Sequence, residues 1–253
     1  MGLSARGAAS ASSLLRTALP SKSWPTPHSR GLASRGATIV SVEETVARQA
    51  LVAAGARLRS AGLIAGTEGN LSLRLDGRSL LITPSGRRKD ELGPGDLVVL
   101  GLENQAATGS EGNPSSDLAI HRRIYSARAD VSAVAHAHPP ASMGLTLAGE
   151  RPDPAVLPET ALFFPRLPFV PLATPGSAEL AYAVATFLAG GASGEELPVA
   201  VLLERHGAIA VGSTIDEAVD RLELVEVLCR AWWDARMLGW APTPAPSKSG
   251  SQY

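Results

Sequence analysis

The stretch Val134-Ala135-His136-Ala137-His138 limits this chain more tightly than any other part of it. Residues 131–138 read as an extended run, and Pro139-Pro140 stop it, because proline cannot donate to a sheet ladder. Side chains two apart on a strand share a face, so His136 and His138 project together, about 6 to 7 Å apart along the chain. Imidazole is the commonest metal ligand, and two from one strand make a rigid half-site. A lone histidine is more often a buried ring satisfied by a carbonyl; a period-2 pair ahead of Pro-Pro points to an ion. His206 is the natural third ligand, since it follows the apolar run 199–203 and precedes Gly207, at a strand end where the backbone turns. Of the remaining histidines, His28 lies near the N-terminus. His121 falls in a helix expected from Ser115-Ser116 to about Ala127, where it reads as structural and bonded to the backbone. Three neutral histidines leave a coordination position open, as in catalytic zinc sites rather than closed structural ones. The expected ion is Zn2+, with another divalent metal as the alternative.

Around that segment, helical and extended patterns alternate without an internal repeat, which argues for an α/β layered domain. Ser41 with Glu44, and Thr214 with Glu217, have capping-box spacing and open helices expected to run to about Gly62 and Leu238. Leu71, Leu73 and Leu75 alternate with polar residues as in a strand. Further strands are expected over 80–83, 97–100, 169–173, 199–204 and 208–211, and a helix over 177–188. Trp232 and Trp233 read as core or subunit-contact residues rather than ligand binders.

The domain expected from these patterns covers 42–240. Residues 1–41 carry Arg6, Arg16, Lys22, Arg30 and Arg35, many Ser and Ala, and no acid before Glu43. That composition fits a disordered leader or a mitochondrial or chloroplast transit peptide. Residues 241–253, with Pro242, Pro244 and Pro246, read as a disordered tail. A net charge of −1 with no basic face gives no sign of nucleic acid. No apolar run approaches the roughly 18 to 20 residues of a membrane span. Cys229 alone excludes an intrachain disulfide and suits a reducing compartment. The cytoplasm is therefore the expected location, and an organelle the alternative if the leader is a transit peptide.

Five motifs stand in order along the body: Gly66-Thr67-Glu68-Gly69-Asn70-Leu71-Ser72, Thr83-Pro84-Ser85-Gly86, Pro114-Ser115-Ser116-Asp117, His136-Ala137-His138 and Arg205-His206-Gly207. This series resembles the class II aldolase/adducin family, which includes fuculose-phosphate aldolase and ribulose-5-phosphate 4-epimerase. The resemblance implies a three-layer αβα fold with a central, mostly antiparallel sheet, and a cyclic homotetramer with active sites between subunits. It also implies a phosphate pocket at Gly69, Asn70, Ser85, Gly86, Ser115 and Ser116. These positions suit an anion, with hydroxyls, an amide and close backbone N–H groups, the serine pair at an expected helix start.

The activity implied is that of a metal-dependent aldolase-type lyase. It would act on a small sugar phosphate through an enediolate that a Lewis-acid metal stabilises. Asp117 stands where the aldolases carry a Glu acid/base and the epimerase-type members carry Asp. Its side chain is one methylene shorter, about 1.5 Å less reach, which suits either an acid/base or a fixed neighbour of the metal. The segment 154–167 lacks the aldolases' Tyr, Pro158 and Glu159 being nearest, and the epimerases' Asp falls on Leu162. Glu159 reads as a surface loop residue, with a second acid/base as the alternative. An epimerase, decarboxylase or dehydratase on a related sugar phosphate is the alternative within enzymes. A non-catalytic adducin-like interaction module is the alternative outside them.

Overall fold

The computed structural model describes residues 41–103, 113–190 and 196–242. The leader expected over 1–41 and the tail over 241–253 lie outside these residues, apart from Ser41, Ala241 and Pro242. Helix α1 spans Val42–Ser60, and the Ser41 hydroxyl accepts from the Glu44 N–H at 3.1 Å, as the capping spacing requires. Its end is closed by Gly62 at φ 72, with Gly62 N–H donating to the Arg59 carbonyl and Leu63 N–H to that of Leu58. Strands β1 (Asn70–Arg74), β2 (Ser79–Ile82) and β3 (Val98–Gly101) follow, then helix α2 (Leu118–Ala127) and strand β4 (Ala133–Ala137). Helices α3 (Pro140–Leu147) and α4 (Pro158–Phe163), strand β5 (Phe169–Val170) and helix α5 (Ala178–Ala189) lead to β6 (Ala200–Leu203), β7 (Gly207–Gly212) and the long α6 (Ile215–Met237).

The seven strands form one mixed sheet in the order β3-β2-β1-β4-β7-β6-β5. Every pairing is antiparallel except β5 with β6. Alternate residues of one strand enter different hydrophobic clusters. Ala133, Ala135, Ala137, Ala208 and Ala210 join Leu51, Leu58, Leu222 and Val225 of α1 and α6. Val134, Ile209 and Val211 join Ile120, Ile124, Leu180 and Val184 of α2 and α5. The alanines of β4 and β7 leave room for α6 to lie close, whereas the branched side chains behind them fill the space under α2 and α5.

Several elements differ from the sequence expectation, each for a physical reason. The helix expected from Ser115-Ser116 begins at Leu118, with Asp117 at the capping position and no side-chain cap bond. The strand expected over 169–173 is only two residues long, because Pro171 has no N–H to give and the Leu172 N–H donates to the Glu204 carboxylate. Helices α3 and α4 were not anticipated. In both a proline stands in the first turn, where its missing N–H costs nothing, so the same Pro-Pro that ends β4 also starts α3. Glu159 accordingly lies exposed in the first turn of α4 rather than in a loop. Among the described residues no helix is long and apolar enough to cross a membrane.

Candidate metal centre and active site

The three histidines selected from the sequence converge. His136 lies on β4, opposite Asn70 of β1 and Ile209 of β7. His138 follows one residue beyond β4, its N–H held by the Leu63 carbonyl at 3.1 Å. His206 sits in the tight β6–β7 turn, between Arg205 at φ 59 and Gly207 at φ 113. A side chain at Gly207 would come within 2.2 Å of the Ala137 carbonyl, so only glycine lets β7 begin this close to the end of β4. The ring centroids are 4.9, 5.0 and 5.2 Å apart, and one nitrogen from each ring lies within 4.8 Å of the others.

The donor chemistry of the three rings fits a divalent ion. The Nδ1 of His136 faces the Ala208 carbonyl at 3.0 Å and can only donate to it, which leaves Nε2 with a bare lone pair. That Nε2 lies 3.2 Å from Nε2 of His138. Two ligands bound at ~2.0–2.1 Å to one tetrahedral ion lie about 3.4 Å apart, close to this separation. Burial, reinforced by the His138 ring, pushes the His136 imidazole down to about 3, and burial and His138 push His206 down as well. Both rings are thus in the neutral form a metal requires. The buried Nδ1 of His206 and Oδ1 of Asp117 have no hydrogen-bond partner among the described residues. Glu68 stands beside the centre, its carboxylate 3.6 Å from Nδ1 of His138.

Asp117 reaches the same place from the other side of the sheet–helix junction. Its Oδ2 lies 3.8 Å from Nε2 of His136 and accepts from the Asn70 amide at 2.8 Å. Burial raises the carboxyl and the donated hydrogen bond of the Asn70 amide lowers it, and the net direction for Asp117 is below the ordinary carboxylate range. The Asn70 side chain is fully engaged inside the protein, because its Oδ1 meets Nε2 of His121 at 2.5 Å. His121 continues to the Ser72 hydroxyl at 2.6 Å, and Ser72 to the Tyr125 hydroxyl at 2.7 Å. His121 was expected to bond the backbone; it bonds two side chains instead. Asn70 and Ser72 are two apart on β1, and Asp117, His121 and Tyr125 are four apart at and along α2, so each set presents one face to the other. That double spacing was the sequence signal for the buried chain.

The other residues expected to hold a phosphate fall in neighbouring loops. Ser85 N–H bonds the Asn113 carbonyl at 2.9 Å and Ser115 N–H bonds that of Thr83 at 3.3 Å, so segments 83–85 and 113–115 run side by side. Ser115 is buried and its hydroxyl accepts from the Asp117 N–H at 3.2 Å; Ser116 and Gly86 are exposed. Gly69, at φ 69, lies so close to the His136 carbonyl that a Cβ would meet it at 2.7 Å.

The family model for the class II aldolase and adducin N-terminal domain matches residues 49–233. This chain belongs to the class II aldolase and adducin family. It is similar to the 5-methylthioribulose-1-phosphate/5-deoxyribulose-1-phosphate aldolase of Rhodospirillum rubrum, at 36% identity over 74% of this chain and 80% of that protein. It is also similar to the 3-oxo-tetronate 4-phosphate decarboxylase of Cupriavidus necator, at 32% identity over 75% of this chain and 84% of that protein. Among solved structures, an L-fuculose 1-phosphate aldolase matches with a TM-score of 0.71 and 30% identity, over 84% of this chain and 95% of that one.

Proposed function

We propose that this protein is a zinc-dependent aldolase-type lyase that cleaves a small sugar phosphate. The convergence of His136, His138 and His206 on one point, with Asp117 at its edge, carries this reading. His136, His138 and His206 would hold the ion, whose Lewis acidity would stabilise negative charge on the substrate's oxygens. The chain's own groups do the rest. Ser85 and Ser115, whose N–H groups are already bonded, offer hydroxyl protons to the phosphate, and Gly69, Gly86 and Ser116 offer backbone N–H groups; Ser115 can do so because its oxygen accepts from the Asp117 N–H while its proton stays free. Asp117 is the acid/base: Oδ2 is tied to Asn70, and the buried, unpartnered Oδ1 is the atom that takes and returns a proton.

The similarity to a decarboxylase supports a second reading, in which the same site releases carbon dioxide from a phosphorylated keto acid. Retention of all three histidines speaks against a non-catalytic interaction module. The three-layer αβα arrangement accords with the two clusters on the sheet's faces. A homotetramer accords with the apolar side chains that α4 and α6 leave exposed, Leu162, Phe163, Val227 and Met237. A cytoplasmic location accords with the buried thiol of Cys229.

The test is to load the protein with zinc and offer 5-deoxyribulose 1-phosphate and 3-oxo-tetronate 4-phosphate side by side, following products by mass spectrometry. Aldehyde release from the first supports the aldolase; carbon dioxide from the second alone supports the decarboxylase; neither product rejects both substrate readings.

A further inference from the structure

Five buried polar groups run in a line between α2 and β1. Asp117, Asn70, His121, Ser72 and Tyr125 are joined by contacts of 2.8, 2.5, 2.6 and 2.7 Å. Their surroundings are Leu80, Ile82, Ile120, Ile124 and Val134. Apolar residues of the same volume would fill this space at lower cost, since every buried polar group must find a partner. The line ends on the carboxylate beside the histidine cluster.

An ionised Asp117 and a neutral His121 together give each hydrogen bond one direction. An ionised carboxylate only accepts, so the Asn70 group facing Asp117 is its NH2 and the group facing His121 is its oxygen. Nε2 of His121 must then carry a proton. Its Nδ1 is bare and accepts the Ser72 hydroxyl proton, and the Ser72 oxygen accepts from Tyr125. A positively charged His121 would instead donate from Nδ1 to the Ser72 oxygen, and the Ser72 proton would lose its acceptor or turn to Tyr125, whose other acceptor is the Ser132 carbonyl at 3.5 Å. Burial argues against that charge, pushing the imidazole down to about 4.

We propose that His121 is a positioning residue: a neutral, Nε2-protonated ring that fixes the Asn70 amide and so holds the Asp117 carboxylate as an acceptor with one oxygen free. This rests on the reading of Asp117 as the acid/base. If His121 flips or is lost, Asn70 is free to turn its oxygen toward Asp117, repelling the carboxylate from its place.

Two measurements test the proposal. Long-range 1H–15N correlation on histidine-labelled, zinc-loaded protein, with His121 assigned through His121→Gln, reads the tautomer directly in the unaltered enzyme. A proton on Nε2 and none on Nδ1 from about pH 5 to 8 is expected; an Nδ1–H or doubly protonated ring overturns the proposal. The second is a double-mutant cycle with cleavage of 5-deoxyribulose 1-phosphate as the assay. His121→Phe is expected to lower kcat about tenfold or more with KM and zinc content retained. His121→Gln, whose amide can still donate to Asn70, should recover most of that loss. In an Asp117→Asn background the His121→Phe loss should vanish, because the group it positions is gone. An equal loss in both backgrounds, or no loss in the first, overturns the proposal. Failure of the acid/base reading looks different: Asp117→Asn alone would then leave kcat unchanged while the tautomer stays as expected.

Discussion

Asp117 is held by one neighbour from its own motif, Ser115 through its hydroxyl, and by two that lie far away in the chain, Asn70 through its side-chain amide and His136 across 3.8 Å. Its two expected roles separate in one variant. Asp117→Asn is nearly isosteric; as an acid/base change it should keep zinc and lower kcat about a hundredfold or more, since positioned proton transfer contributes ~10²–10⁴. As the loss of a metal neighbour it would instead weaken zinc binding, and excess zinc would restore much of the rate. Zinc content and single-turnover rate measured on the same preparation decide between these, and full zinc with an unchanged rate contradicts both. At this scale the clustering of the three histidines was legible: period-2 spacing reports that His136 and His138 share a face, and His206 stands at the end of an apolar run before a glycine. The partners of Asn70, Ser72 and His121 were not, because a face is readable from spacing but the residue across from it depends on how α2 lies on β1.

Among the elements, the hydroxyl half of each expected capping box is present: Ser41 caps α1, where the Glu44 carboxylate pairs with Arg48, and Thr214 caps α6 with its oxygen on the Glu217 N–H at 3.2 Å. In the second cap the returning carboxylate of Glu217 takes the N–H of Ser213 rather than that of Thr214, a detail spacing does not show. The start at Pro140 was missed because Pro139-Pro140 both end β4 and open α3, and the start at Pro158 because a proline in the first turn reads as a break rather than a beginning. The loops between elements are tied by a residue that no motif singled out. Lys89 is buried, and its ammonium donates to the carbonyls of Thr67 at 2.7 Å and Arg87 at 2.8 Å, joining the loop before β1 to the one after β2. Burial pushes this lysine from 10.5 down to about 8. Between those values the unfolded chain binds more protons than the folded one, so the lysine's contribution to stability rises with pH across the window. Unfolding free energy of the wild type relative to Lys89→Met should therefore rise from about pH 8 to 10.5, by something on the order of 2 kcal/mol. Parallel stability curves for the two proteins across that range would show that the ammonium is not desolvated.

For the molecule as a whole, the alternation of helical and extended segments pointed to an α/β domain, and the five ordered motifs pointed to its family. Strand order was not readable from the pattern, since β1 pairing with β4 and β4 with β7 depends on contacts far apart in the chain. The body from Ser41 onward carries its own first cap, and α1 places Leu51, Ala54 and Leu58 in the core. Deleting residues 1–40 should accordingly leave Tm within a degree or two and activity unchanged. A drop of about 5 °C or more, on the order of 2 kcal/mol for a domain of this size, would mean that the segment contributes to the fold.

The central claim is that one ion joins β4 to the β6–β7 turn through His136, His138 and His206. Metal content measured by plasma mass spectrometry on the wild type and on the three single His→Ala variants, each dialysed against the same zinc buffer, addresses it most directly. About one zinc per chain in the wild type, with most of it lost from every variant and activity lost alongside, is the predicted result. Undiminished zinc in two of the three variants would contradict it.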